Sequence, residues 1–140
     1  MRTAMKWSLL SLMMVVLVGC QSQQARTDVV VLRPLAGTYY RGDGLGYNVS
    51  LDLRPDGSYD AKWRGCLGVY GTARGQWSHD GEQIVLSPKE ETDMMTGHLR
   101  RLDVARHEGS VILLPSDDRE FYDMHGASRY SCFQRTETLK

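Results

Sequence analysis

Leu45-Gly46-Tyr47-Asn48-Val49-Ser50-Leu51-Asp52-Leu53-Arg54-Pro55-Asp56-Gly57 is the stretch that decides the fold of this chain. Leu45, Tyr47, Val49, Leu51 and Leu53 alternate without a break against Gly46, Asn48, Ser50 and Asp52, which is the period of a strand with one face in a core. Arg54-Pro55-Asp56-Gly57 then reverses the chain, because proline presets φ and glycine tolerates positive φ. A second strand follows, with Tyr59, Ala61 and Trp63 on one face and Ser58, Asp60, Lys62 and Arg64 on the other. Beyond Gly65 to Gly71, a third run sets Ala73, Gly75 and Trp77 on one side. His79-Asp80-Gly81 turns again, and Ile84 and Leu86 make a shorter fourth strand that Ser87-Pro88 ends.

Outward from this meander the pattern continues. On the N-terminal side, Val29, Val30, Val31 and Leu32 read as a first edge strand before Pro34, and Leu35 to Tyr40 enters the domain. On the C-terminal side, Lys89 to Thr96 reads as an exposed charged loop with at most one helical turn. His98 to Ala105 and Ser110 to Leu114 read as strands joined around His107-Glu108-Gly109, with Leu102, Val104, Val111 and Leu113 pointing inward and Leu99 marking a bulge. Phe121-Tyr122 reads as a short strand, and Arg129 to Arg135 as the last, with Tyr130 and Cys132 on one face and Ser131 and Phe133 on the other. Apart from the first twenty residues, no stretch holds a helical period over ten positions. About eight strands at intervals of about ten residues predict an all-β domain over 35–140, an antiparallel up-and-down meander closed into a small barrel.

At 140 residues the chain has room for one such domain. Arg2 and Lys6 belong to the leader, so the part after Cys20 carries 15 basic against 17 acidic residues. Without a basic excess nothing holds a nucleic-acid backbone, and the cluster Arg100, Arg101, Arg106 is broken by Asp103 and Glu108. Catalytic constellations are equally scarce. There is no Gly-x-Ser-x-Gly, and Ser78-His79-Asp80 are neighbours in a turn, where adjacent side chains diverge and form no triad. Asp117, Asp118 and Glu120 fall in a solvated turn with nothing to raise a carboxyl pKa. The chain therefore reads as a non-enzyme without a cofactor.

Residues 1–19 form a secretory leader: basic at Arg2 and Lys6, then apolar from Trp7 through Val18 with Ser8 and Ser11 interrupting, too short to remain as a spanning helix. Its end, Leu17-Val18-Gly19-Cys20, resembles the lipobox of bacterial lipoproteins. That resemblance implies lipidation of the Cys20 sulfur, cleavage before Cys20 and acylation of the new N-terminus, with palmitate among the acyl chains. Several acyl chains anchor a protein stably where one does so only marginally. The lipidated N-terminus and linker then span 20–34, and Gln21-Ser22-Gln23-Gln24-Ala25-Arg26 suits a flexible spacer. Gln21 stands where inner-membrane retention in enteric bacteria typically uses Asp, so the resemblance implies the outer membrane, facing the periplasm.

Gly37-Thr38-Tyr39 is similar to the opening motif of lipocalin-like barrels, in which a large aromatic plugs the closed end; those barrels have Trp where this chain has Tyr39. From Gly37 to Pro88 the order Gly-x-Tyr, strand, Pro-Asp-Gly, strand, Cys, Gly-x-Trp, Ile-x-Leu resembles small proteobacterial envelope lipoproteins of lipocalin-like or copper-resistance-lipoprotein type. The copper-resistance lipoproteins carry a Cys-x-x-Cys early in the domain, and here Cys66 and Cys132 each stand alone.

Three site hypotheses follow from the residues. In an exported domain Cys66 and Cys132 make an even pair for a disulfide, whose loop of about 66 residues would stabilise by about 4 kcal/mol on the chain-entropy model; two separate thiols are the alternative. Tyr39, Tyr47, Tyr59, Trp63, Trp77 and Tyr130 would point into one interior, which an eight-stranded barrel either fills with side chains or opens to one small apolar ligand. Met94, Met95 and His98, with Met124 and His125, offer thioether and imidazole ligands of the kind that suit Cu(I); zinc motifs are missing. The functional expectation is a non-catalytic binding or envelope-maintenance module that partners the bilayer through its acyl chains, and a small apolar ligand or an envelope protein through its barrel. The alternative is a copper-binding or copper-sensing envelope protein.

Overall fold

A computed structural model describes residues 34–136. The expected leader, the expected lipidation at Cys20, the expected linker up to residue 33 and the strand expected at Val29 to Leu32 lie outside the described residues. Eight strands follow in chain order: β1 (Gly37–Gly42), β2 (Asn48–Leu53), β3 (Ser58–Gly65), β4 (Gly68–His79), β5 (Gln83–Glu91), β6 (Arg101–His107), β7 (Ser110–Pro115) and β8 (Phe133–Arg135). Each pairs antiparallel with the next, and β8 returns to β1 through Tyr39 with Arg135 and Tyr40 with Gln134, so the sheet closes into a barrel. The expected all-β meander is therefore the fold.

The alternation sets which face turns in. Leu51 lies opposite Ala61 and Leu53 opposite Tyr59, and Ala61 in turn lies opposite Ala73, so one row of inward side chains crosses three strands. Tyr39, Val49, Leu51, Leu53, Tyr59, Ile84, Leu102, Leu113 and Phe133 fill the interior at no more than 1 % exposure each. Burial on this scale supplies the main driving force, about 1.5–3 kcal/mol for each large side chain. Leu45 falls in the loop before β2 and is exposed, so the predicted strand is shorter at its start.

Pro88 does not stop β5. The strand runs on to Glu91 because a bulge leaves Lys89 unpaired, with Gly75 opposite Pro88 and Arg74 opposite Glu90. A bulge is where a proline, having no N–H to give the ladder, fits within a sheet. Gly75 makes the close approach possible: a Cβ there would lie 2.2 Å from the Ser87 carbonyl oxygen and 2.8 Å from Pro88 Cα. Beyond β5 the expected loop holds its one helical turn as a 3₁₀ turn, Asp93–Met95, but Met95 is not exposed: it is fully buried in the core. The turn lies on Gly71, whose missing Cβ would meet Thr92 O at 2.6 Å and Met95 N at 2.7 Å.

The region after β7 departs furthest from the sequence reading. Arg119–His125 is a short helix, α1, where a strand at Phe121-Tyr122 was expected. It covers the outer face of the sheet: Tyr122 and Ala127 pack with Ile112, Leu114, Cys132 and Ala105 in a second cluster outside the barrel. β7 is thus apolar on both faces, with Leu113 inward and Ile112 and Leu114 outward. The last strand shrinks to Phe133–Arg135; Tyr130, expected inside, is 48 % exposed in the preceding loop.

The barrel has two unlike ends. At one, tight turns join β2 to β3, β4 to β5 and β6 to β7, and Tyr39 plugs the floor by donating its hydroxyl to Leu35 O at 2.8 Å. Arg135 lies over the Tyr39 ring at 5.5 Å and donates to the carbonyls of Pro34 and Ala36. Trp77 donates from its indole to Arg54 O at 2.9 Å. The other end carries the β1–β2 loop, the β3–β4 turn and the two long connections that hold the 3₁₀ turn and α1.

Candidate functional site

The long-loop end assembles the polar and aromatic side chains that have most structure around them. Arg41 has the same parity on β1 as Tyr39 and so turns inward; it is only 8 % exposed. Its Nε donates to Tyr130 O at 2.8 Å, and its Nη1 lies 2.6 Å from Asp118 Oδ2. A buried guanidinium with a carboxylate and a carbonyl to receive its protons is a satisfied charge. The guanidinium also lies 5.5 Å from the centroid of the Tyr47 ring, within cation–π range.

Tyr47 comes from the β1–β2 loop, which Asp43 shapes by accepting the backbone N–H groups of Tyr47 at 3.0 Å and Leu45 at 2.7 Å. Those bonds, the one from Tyr47 first, hold the Asp43 carboxyl below the usual carboxylate range. The Tyr47 ring meets Trp63 edge-on at 4.8 Å, and Trp63 in turn lies 4.9 Å from His98. The Tyr47 hydroxyl is 3.2 Å from His98 Nε2 and donates to it when that nitrogen is unprotonated. His98 is open to solvent on its outer edge while its ring packs on Trp63. This loss of water, reinforced by the positive charge of Arg41, lowers its pKa below the ordinary histidine value, so the neutral ring is the form favoured at neutral pH. Burial likewise raises the Tyr47 phenol. The group is a surface of packed aromatic rings with one neutral imidazole, suited to contact.

A second feature lies on the outer face of β1 to β5: a trough of about 760 Å³ lined by hydroxyls and charges. Arg74 pairs with Glu90 at 2.6 Å there, and Arg54, at the β2–β3 turn, holds Asp52 and Asp60 together. Lys62, which also lines it, has no ion pair among the described residues. The volume is in the range of small-molecule sites, yet the lining is polar and lacks aromatic walls.

The hypothesised residues are divided by the fold. Of the six aromatics proposed to line one cavity, Tyr39, Tyr59 and Trp77 fill the core, and Tyr47 and Trp63 pack at the long-loop end against it. Tyr130 lies outside, so the six do not surround one space. Tyr59 keeps a buried hydroxyl with no partner among the described residues, and burial, with help from the Glu91 charge, pushes its pKa up to about 12. The expected disulfide does not form among the described residues, where Cys66 and Cys132 are both free thiols. Cys66 is exposed in the β3–β4 turn with its sulfur toward Leu45 O, whereas Cys132 is buried beneath α1 with its sulfur toward Ser128 O. The Cys132 thiol has its pKa raised by that burial.

The copper set is likewise dispersed. Met95 belongs to the core, Met94 faces solvent, and His98 is engaged by Tyr47. Met124 is exposed on α1, where His125 stacks on Phe121 and meets Phe121 O through Nδ1 at 3.0 Å. Among the described residues no group of three His, Cys, Asp or Glu side chains converges on a metal-sized site. Asp80 of Ser78-His79-Asp80 is committed to its turn, accepting the N–H groups of Gln83 and Glu82. Sequence reasoning missed Arg41 and its Asp118 partner; the available signal was a charged residue in step with Tyr39 on the inward face. No family model, curated protein or solved structure matches this chain.

Proposed function

We propose that the protein is a lipid-anchored lipoprotein of the bacterial envelope, held by acyl chains on Cys20, in which a barrel of lipocalin-like type serves as a non-catalytic binding or envelope-maintenance module. Leu17-Val18-Gly19-Cys20, after a basic start and an apolar run, carries the reading. Gln21 after the cysteine favours the outer membrane, with the barrel facing the periplasm. The packed interior supports recognition at the surface over capture of an apolar ligand inside, and the polar trough on β1 to β5 and the Tyr47–Trp63–His98 group are the two places built for it. Cys20→Ala is expected to leave an uncleaved precursor that takes up no labelled palmitate. A variant still cut and still labelled would remove the anchor from this reading.

A further inference from the structure

Every exposed large hydrophobic side chain among the described residues belongs to the long-loop end or its connections. Leu45 (72 % exposed) tips the β1–β2 loop and Leu67 (92 %) the β3–β4 turn, with Val69 beside it; Met94 lies in the 3₁₀ turn, and Phe121, Met124 and Tyr130 in the β7–β8 connection. The turns at the opposite end carry Arg54-Pro55-Asp56-Gly57, Asp80-Gly81-Glu82 and Glu108-Gly109, with no large apolar residue. A side chain as exposed as Leu67 contributes nothing to the barrel core, and apolar tips gathered at one end mark an interaction face.

Two cations stand among these tips. Arg64 pairs across β3–β4 with the exposed Val69, and Arg129 lies over the ring of Tyr130 at 5.1 Å. Neither has an acidic partner among the described residues, whereas Asp118, Asp123 and Glu91 are paired with Arg41, Arg119 and Arg100. Exposed apolar side chains with two arginines and a tyrosine among them match the chemistry of a membrane surface, where hydrocarbon lies under phosphate. Asp93 beside Met94 and the bound Asp43 keep the contact shallow, led by Leu45 and Leu67.

We infer that this end docks onto the phospholipid bilayer that Cys20 is anchored in, so that the barrel lies with its loop tips in the headgroup layer. The inference rests on the lipid anchor proposed above. Chain length permits the geometry although the described chain begins at the far end. Thirteen residues lie between Cys20 and Pro34, where the described chain begins at the barrel floor, a span of about 45–50 Å if extended. The barrel is about 20–25 Å tall, judged from the eight residues of β3 at about 3.3 Å each with strand tilt. An extended tether of that length therefore reaches past the barrel to the same membrane, and tethering would hold the tips there at high effective concentration.

The free thiol of Cys66, next to Leu67, supplies the probe position. The full lipidated chain, labelled at Cys66 with a polarity-sensitive fluorophore, is reconstituted into vesicles of phosphatidylethanolamine and phosphatidylglycerol with or without spin-labelled lipid. The expected result is a blue-shifted emission quenched by the spin label. A probe at Glu108→Cys, in a Cys66→Ser background, is expected to stay water-like and unquenched. Leu45→Ser with Leu67→Ser should lower the quenched fraction about tenfold or more, since burying one leucine shifts a partition by about that factor; both sites are exposed, so the barrel stays folded. Equal, water-like signals at Cys66 and Glu108→Cys would overturn the inference. A Cys66 probe shielded from aqueous iodide yet untouched by the spin label would also overturn it, by placing a second copy or another protein on the tips. The mass of the N-terminal peptide reads the anchor separately: a missing acyl mass defeats the anchor reading, whereas an acylated chain with an unquenched probe defeats only the docking.

Discussion

Tyr39 and Tyr59 face the same interior with the same side chain and opposite hydrogen-bond status, so the pair tests how the core is satisfied. Both are at most 1 % exposed. The Tyr39 hydroxyl donates to Leu35 O at 2.8 Å, while the Tyr59 hydroxyl has no partner among the described residues. Tyr39→Phe strands a buried carbonyl and is expected to cost about 1–2 kcal/mol; Tyr59→Phe removes an unsatisfied buried hydroxyl and is expected to be neutral or to gain about 1 kcal/mol. In a domain of about 100 residues each kcal/mol moves Tm by about 4–8 °C, so thermal unfolding by circular dichroism should separate the variants by about 5–15 °C in opposite senses. Alkali adds a second readout. The folded-state pKa of Tyr59 is pushed from 10.0 to about 12, so the folded phenol resists ionisation. Stability is then complete below pH 10 and is lost as the pH rises from about 10 to about 12, by on the order of 2–3 kcal/mol. Tyr59→Phe should lose less than the parent over that window. A Tyr59→Phe variant that melts lower than the parent by several degrees would refute the reasoning, because it would show the hydroxyl to be bonded.

Gly75→Ala would drive a methyl to 2.2 Å from the Ser87 carbonyl at the β4–β5 bulge, and is expected to cost at least about 3 kcal/mol in urea unfolding; a cost under 1 kcal/mol would mean that the bulge is misplaced. Because the pKa of folded His98 is lowered, the unfolded chain binds a proton first on acidification, so stability present above pH 6.5 falls as the pH drops below it. His98→Gln should flatten that part of the profile between pH 7.5 and 5, and an unchanged slope would remove His98 as its source. In the native domain a thiol reagent should label Cys66 and spare Cys132, which reacts only on unfolding. Two unreactive sulfurs that appear only after reduction would restore the bridge.

What was legible in the sequence was whatever rests on a period of two. From Val49 onward the alternation through β2, β3 and the later half of β4 is clean, and the strands and turns it predicts are present because one face of each strand meets the core and the other meets water. Where both faces are covered the signal changes character. Val111-Ile112-Leu113-Leu114 is a continuous apolar run, the mark of a strand buried on both sides, and it implied a covering element that the short polar stretch Arg119–His125 gave no periodicity to identify. Pro88 misled for a related reason: its local meaning is a strand end, and only the small residue opposite, Gly75, lets it sit inside a bulge. At the long-loop end the alternation puts Trp63 and Tyr47 against the core, but it does not give their meeting with a histidine from another connection. Their distances to His98 depend on loops whose course no spacing rule fixes.

The barrel closes through its shortest strand. β8 offers two paired positions to β1 and two to β7, and its pairing joins Tyr39 to Arg135 across 95 residues of intervening chain. Every other ladder forms between strands adjacent in sequence, where loop closure costs little entropy; this one bears the cost of the whole chain for few bonds. A nascent chain can therefore assemble β1 to β7 as an open, curled sheet and must wait for its final residues before the ring shuts. The same seam is the first to part in the folded state, so amide exchange should be fastest at Gln134 and Arg135 among the strand residues, and any extension fused after Thr136 burdens the step on which closure depends.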